Sequence, residues 1–419
     1  MMSAVQTKTP FEGGGLPSLW RGCLTAAATL AVTAIALSAG AATPLTAEQR
    51  AALKPTFATV DHAPINMADL DRQAMINRTI PFWRNQVTSP VDGNTYTYTM
   101  VGKSPMAPSP SRTFIHYVPV VARIHFPDGT VLDPTQPSVC DTQPVSVADR
   151  FFNSPLFKKT SVVSNGVDVS GPNGEQLTSA FQRANFWGAV QGTNYGVDLK
   201  QKGSPTVVDI TAPASSVVYA IPVQCPSGAN VTSYLGAIDI NAFDGLVQSA
   251  IAPLAKPNEL PVFLAYNVVQ FVNKPKNCCI IGYHSATPVT NGTLTYSIGA
   301  YTDPGIFPPG FNDIYAWTHE LGEWIDDPFV QGPWKGGRAN NLTPAWGHTG
   351  QVGSCQNNLE TGDPLTGVAY IPVTGKDGFV YSTQDLVFHD WFYRTPATGT
   401  GGMFSFRGTL TADAGAVCQ

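Results

Sequence analysis

Asp313-Ile314-Tyr315-Ala316-Trp317-Thr318-His319-Glu320-Leu321-Gly322-Glu323-Trp324-Ile325-Asp326-Asp327-Pro328 is the stretch that decides how this chain is read. Its apolar spacing predicts a helix from about Ile314 to Ile325, with Asp313 as its cap. Asp326-Asp327-Pro328 stops the helix, because proline has no N–H to donate and restricts the residue before it. His319 and Glu323 stand four positions apart, so both side chains lie on one face, one turn apart. Two ligands so spaced are how an H-E-x-x-H helix holds a metal, with the intervening Glu as general base. Glu323 takes the place of the second histidine here. An imidazole nitrogen and a carboxylate oxygen both suit a divalent cation at about 2.0–2.2 Å. Glu320 would sit beside the water of such a site.

Outward from this helix the pattern is mostly strand. Upstream, Pro261–Val272, Cys279–Tyr283 and Thr293–Tyr301 read as strands, followed by a Pro/Gly loop over 304–310. Thr95–Met100, Phe114–Phe126 and 207–223 are further strand candidates, with a tight turn at Pro127-Asp128-Gly129-Thr130. Helical spacing is found at Asp239–Ala252, within 146–188, at Thr46–Leu53 and at Thr383–Tyr393, and a last short strand is expected near Met403–Phe406. Strands come in groups and helices are few, which predicts an α+β fold and not a doubly wound parallel sheet.

Composition bears on compartment and partners. The 419 residues carry 43% hydrophobic and only 13% charged residues, with 39 Gly and 35 Pro. This is a polar but sparsely charged surface, rich in turns, and the charged share is about half the usual. The net charge is −5, and no Lys/Arg cluster offers the positive footprint that nucleic-acid binding needs. Arg21, the apolar run Cys23–Leu37 and the small residues Ser38-Ala39-Gly40-Ala41-Ala42 read as a secretion signal over 1–41, cleaved after about Ala41. The competing reading is an uncleaved anchor, since the run is just long enough for a bilayer of roughly 30 Å. No stable membrane insertion is expected after cleavage, and the mature chain is expected to be secreted, periplasmic or on the cell surface. Beyond the signal lie Cys140, Cys225, Cys278, Cys279, Cys355 and Cys418, an even number that suggests up to three disulfides. The adjacent Cys278 and Cys279 are expected to take different partners.

His319–Pro328 (H-E-L-G-E-W-I-D-D-P) and Cys355–Leu365 (C-Q-N-N-L-E-T-G-D-P-L) together resemble a group of exported zincin-like proteins. The group includes bacterial proteins of undefined role and, more distantly, plant EXORDIUM-type (phosphate-induced) proteins. Cys279–Ala286 (C-I-I-G-Y-H-S-A) is similar to the Cys/His segment that precedes the helix in that group. The resemblance covers about residues 260–410. It implies a zincin-like core, a mixed sheet plus a metal-bearing helix, with a β-rich N-terminal lobe. The expected parts are a signal at 1–41, an N-terminal segment at 42–94, the lobe at 95–258 and the metal-site region at 259–419. The resemblance also implies a third ligand from Glu360 or Asp363, with Glu360 preferred and Asp363 as a fourth ligand or as a group orienting His319. Cys355 would anchor that loop. Three ligands drawn from His319, Glu323 and Glu360 leave a divalent ion neutral, which weakens its pull on water and favours harder ions. The expected cofactor is therefore a divalent metal, zinc first, with manganese or calcium as alternatives.

His284 is the remaining candidate, as a donor to an oxyanion, against the plainer reading of a buried structural histidine. His348 is expected to be an ordinary loop residue, and His389 with its aromatic neighbours is expected to be core. Two functions follow. One is an exported metal-dependent hydrolase acting on a peptide or protein, with Glu320 as base. The other is a non-catalytic exported protein with a structural metal.

Overall fold

Arg112–His125 is rich in Val, Ile and aromatic residues, which suit the pleated surface of a buried strand, and most of it is buried. Glu259–Tyr266 lies parallel to it on one side, and Gly196–Gln201 and Thr206–Thr211 run parallel to it as well. The sheet continues through Gly292–Tyr301, Cys278–Val289, Val268–Phe271, Asn230–Asp239 and Val217–Gln224, with Thr43–Pro44 at the far end. Its ladders mix parallel and antiparallel pairs. The computed structural model describes residues 42–45, 50, 53–58, 60, 65–330, 342–347, 355–368 and 370–418. The signal over 1–41, most of Thr46–Leu53 and His348 lie outside the described residues.

The α+β expectation holds, with 19% helix and 35% strand around a curled mixed sheet. Strands from 259–419 lie as a block between strands from 95–258 within this one sheet, and Ala39–Gln419 form one compact unit. Several local expectations need correction. Pro261–Val272 is two strands, because Asn267 breaks it with a left-handed φ of 52° that a short amide side chain tolerates. The halves join different neighbours, and the Asn267 amide donates to Asp303 at 2.8 Å. Cys279–Tyr283 extends to Cys278–Val289, because Gly282–Val289 pairs with the strand Gly292–Tyr301 while the start of the strand pairs with Val268–Phe271. Thr383–Tyr393 is not one helix: Val380–Gln384 pairs as a strand, and the helix is only His389–Tyr393. Met403–Phe406 forms no strand, and only Ser405 bridges, to Val387.

The cysteines pair as Cys140–Cys225, Cys278–Cys279 and Cys355–Cys418. The expectation that Cys278 and Cys279 take different partners is corrected. The other four are taken up between distant segments, which leaves these two for each other. No helix among the described residues is long and apolar enough to cross a membrane.

Candidate metal centre

The helix Tyr315–Asp326 ends where Asp327-Pro328 was expected to stop it, and every one of its residues is buried. Two glycines let it lie so deep. Gly282 and Gly299 face each other across adjacent strands. A Cβ on Gly282 would stand 2.7 Å from Glu320 Cγ, and one on Gly299 would stand 2.9 Å from the Trp317 ring. The paired glycines thus open a notch into which residues 317 and 320, three apart on one helix face, are seated. Trp317, Leu321, Trp324 and Ile325 join the main core, and the Trp324 indole donates to Thr295 at 3.0 Å. Asp313 is not the N-cap, a position held by Ile314 without a side-chain bond. Its carboxylate instead accepts from the Ile314 N–H at 2.5 Å and the Ser382 N–H at 2.8 Å, tying the helix start to Val380–Gln384. The Gln384 N–H donates to Thr318 Oγ1 at 2.9 Å.

This framework gathers His284, His319, Glu320, Glu323, Glu360 and Asp363, none more than 2% exposed. Two groups of three have ligand atoms within 4.8 Å of one another. One is His319, Glu323 and Asp363; the other is His284, Glu323 and Glu360. His319 Nε2 lies 2.9 Å from Glu323 Oε1, as the one-turn spacing predicts, and 3.5 Å from Asp363 Oδ1. His284 Nδ1 lies 3.2 Å from Glu320 Oε2 and 3.8 Å from Glu323 Oε2. Asp363 is thus the acid grouped with His319, and Glu360 is grouped with His284. Glu320 belongs to neither group. The acidic loop is held by Cys355–Cys418 and by Leu359, which packs with Trp346, Trp391 and Phe392. The His389–Tyr393 aromatics are therefore packing, as expected.

The outer partners of the two imidazoles assign their tautomers. The Gln384 amide N–H donates to the Gly362 carbonyl, so its Oε1 faces His319 Nδ1, at 2.9 Å, as an acceptor. His319 Nδ1 then carries a proton, which leaves Nε2 as the nitrogen turned to the cluster. His284 Nε2 lies 3.2 Å from the Asp327 carbonyl, which can only accept, so the proton is on Nε2 and Nδ1 has the lone pair. Burial lowers the His284 pKa to about 3, which keeps that imidazole neutral. His284 Nδ1 faces Glu320, and His319 Nε2 lies beside Glu323 without hydrogen-bond geometry. With the carboxyls ionised these atoms are all electron-pair donors, a set that a cation fits. An oxyanion role for His284 would need a free N–H, and its N–H is directed to Asp327.

The carboxyls are strained electrostatically. Burial first, then neighbouring carboxylates, pushes Glu320, Glu360 and Asp363 well above the usual carboxylate range, and burial raises Glu323 to about 8. Neither oxygen of Glu360 nor of Asp363 receives a hydrogen bond of ordinary geometry. Among the described residues no lysine or arginine pairs with any of the four. The Gly362 N–H donates to Glu323 Oε1 at 3.0 Å. Sequence reasoning missed Gln384, Gly362, the Asp327 carbonyl and Phe57, whose ring stacks on His319 with centroids 3.3 Å apart. No local motif marks them, since each reaches the site only through tertiary packing.

Comparison with family models, curated proteins and solved structures returns no match for this chain. The chemistry of the cluster is thus argued from its own geometry.

Proposed function

We propose that this chain is an exported, metal-dependent hydrolase of the peptidase type. Its cation would be held by His319, Glu323 and Asp363, with Glu320 as the base. The reading is carried by one observation: two buried imidazoles gather with buried carboxyls that no lysine or arginine among the described residues pairs with. A helix laid on a mixed sheet, with its H-E-x-x-E face turned to a distant acidic loop, also supports the zincin resemblance. A divalent cation held here would supply Lewis acidity, polarising an oxygen it contacts. The nitrogen–oxygen donor set suits zinc or manganese. Glu320 would take up a proton on its carboxylate. Burial first, then the neighbouring carboxylates, raises its pKa above the usual carboxylate range, the direction that strengthens a carboxylate as a base. The signal read over 1–41 and the cysteine pairs support export.

The test is peptide-library hydrolysis by the purified mature protein, with and without chelator, beside Glu320→Gln. The substitution removes the base and spares both ligand groups. It should cost about 10²–10⁴-fold in rate, in the range of general-base catalysis. A variant as active as the wild type would end the catalytic reading. One observation favours the second reading, a structural metal: every side chain of the cluster is at most 2% exposed. On that reading chelation lowers the melting temperature, and no peptide is cut by either protein.

A further inference from the structure

Six groups that can bind a metal are more than one ion requires. The two triads meet at a single residue, Glu323, whose two oxygens face opposite ways. Oε1 lies 2.9 Å from His319 Nε2, and Oε2 lies 3.8 Å from His284 Nδ1. Glu360, whose oxygens receive no hydrogen bond, is fully buried and aimed into the second triad. We propose that this cluster is a two-ion centre: His319 and Asp363 hold one divalent cation, His284 and Glu360 hold the other, and Glu323 bridges them. The inference rests on the metal reading above and adds to it a second site and its ligands.

Charge favours two ions over one. Glu320, Glu323, Glu360 and Asp363 bring four negative charges when ionised, and among the described residues no lysine or arginine offsets them. A single divalent cation would leave a net charge of −2, or two carboxyls still protonated, among residues that are almost wholly out of water. Burying unpaired charge is among the costliest things a fold can do. Two divalent cations bring the cluster to neutrality with Glu320 still ionised. A carboxylate with one oxygen on each ion holds a pair at about 3.5–4 Å, the separation of two-metal hydrolytic sites. The imidazoles support the same count. Each has its N–H fixed by an outer acceptor, Gln384 for His319 and Asp327 for His284, the device that orients a metal-binding histidine. Both divalent zinc and manganese accept one nitrogen and two carboxylate donors.

The test is the metal content of the full mature chain. The protein is stripped with chelator and titrated with Zn²⁺, and bound metal is counted by elemental analysis after gel filtration. Two ions per chain are expected, falling to one in His284→Ala and to one in His319→Ala. One ion per chain in the wild type, unchanged by His284→Ala, would overturn the two-ion centre and leave the metal reading standing. No bound ion would overturn both. Because a buried substitution can unfold the chain, the wild type is also loaded with Mn²⁺ and examined by electron paramagnetic resonance. An exchange-coupled signal is expected from carboxylate-bridged ions. The six-line signal of isolated Mn²⁺ at full loading would overturn the proposal without any variant.

Discussion

Gly362 shows how narrow the tolerances are at single positions. A Cβ there would stand 2.3 Å from His319 Nδ1, where Gln384 Oε1 now takes the hydrogen bond. Its backbone works on both sides, donating to Glu323 and accepting from Gln384. Gly362→Ala should therefore displace the imidazole and cost about 1–3 kcal/mol, as overpacking does. It should also weaken Zn²⁺ binding by at least an order of magnitude. Denaturant unfolding and metal titration on one preparation check both, and an alanine variant with wild-type affinity would refute the role given to Gly362. That His319, Glu320 and Glu323 lie together was legible from spacing alone, since residues three and four apart along a helix share a face. The role of Gln384 was not, because nothing in its own neighbourhood in the chain points to residue 319.

Elements hold the site by their ends and faces. Asp313 fastens the start of the helix to Val380–Gln384, the strand that carries Gln384, and burial raises its pKa from 3.8 to about 8. The folded state therefore holds this proton more tightly than the unfolded chain does. Stability from this group is present in full below about pH 4 and is lost as the pH rises toward 8. Asp313→Asn keeps an accepting oxygen and cannot ionise. It should flatten the decline in stability between pH 4 and 8, as read from urea midpoints across that range, while a slope equal to the wild type's would contradict this account. The notch made by Gly282 and Gly299 belongs to the same scale. The helix was legible from its period and its proline stop. Its depth was not, because it depends on two glycines falling opposite each other in strands whose register only the folded sheet sets.

At the scale of the whole molecule, distant segments are stapled together around the cluster. Cys140–Cys225 closes a separation of 85 residues, and Cys355–Cys418 pins the acidic loop to the C-terminal segment. Constraining the unfolded chain over so long a loop stabilises the fold by about 2–5 kcal/mol. The Cys140→Ser/Cys225→Ser double variant should lose that amount in denaturant unfolding, and an unchanged midpoint would show the link to be idle. A metal held here would act at the same scale, since an ion that binds only the folded state contributes about 4 kcal/mol at a thousandfold excess over its dissociation constant. Chelation should therefore lower the melting temperature of the whole protein in one cooperative step, followed by differential scanning calorimetry. A melting curve indifferent to chelator would speak against any bound ion.

What the sequence determined by itself was local: the H-E-x-x-E turn, its proline stop, the acidic Glu360–Asp363 loop and the mixture of strands and short helices. These follow from backbone periodicity and from the missing N–H of proline, which act within a few residues. Which acid belongs with which histidine was decided only by the tertiary structure, as were the pairing of Cys278 with Cys279, the split at Asn267 and the stacking of Phe57 on His319. Each of these depends on contacts between segments far apart in the chain, and only a packed core selects among such contacts.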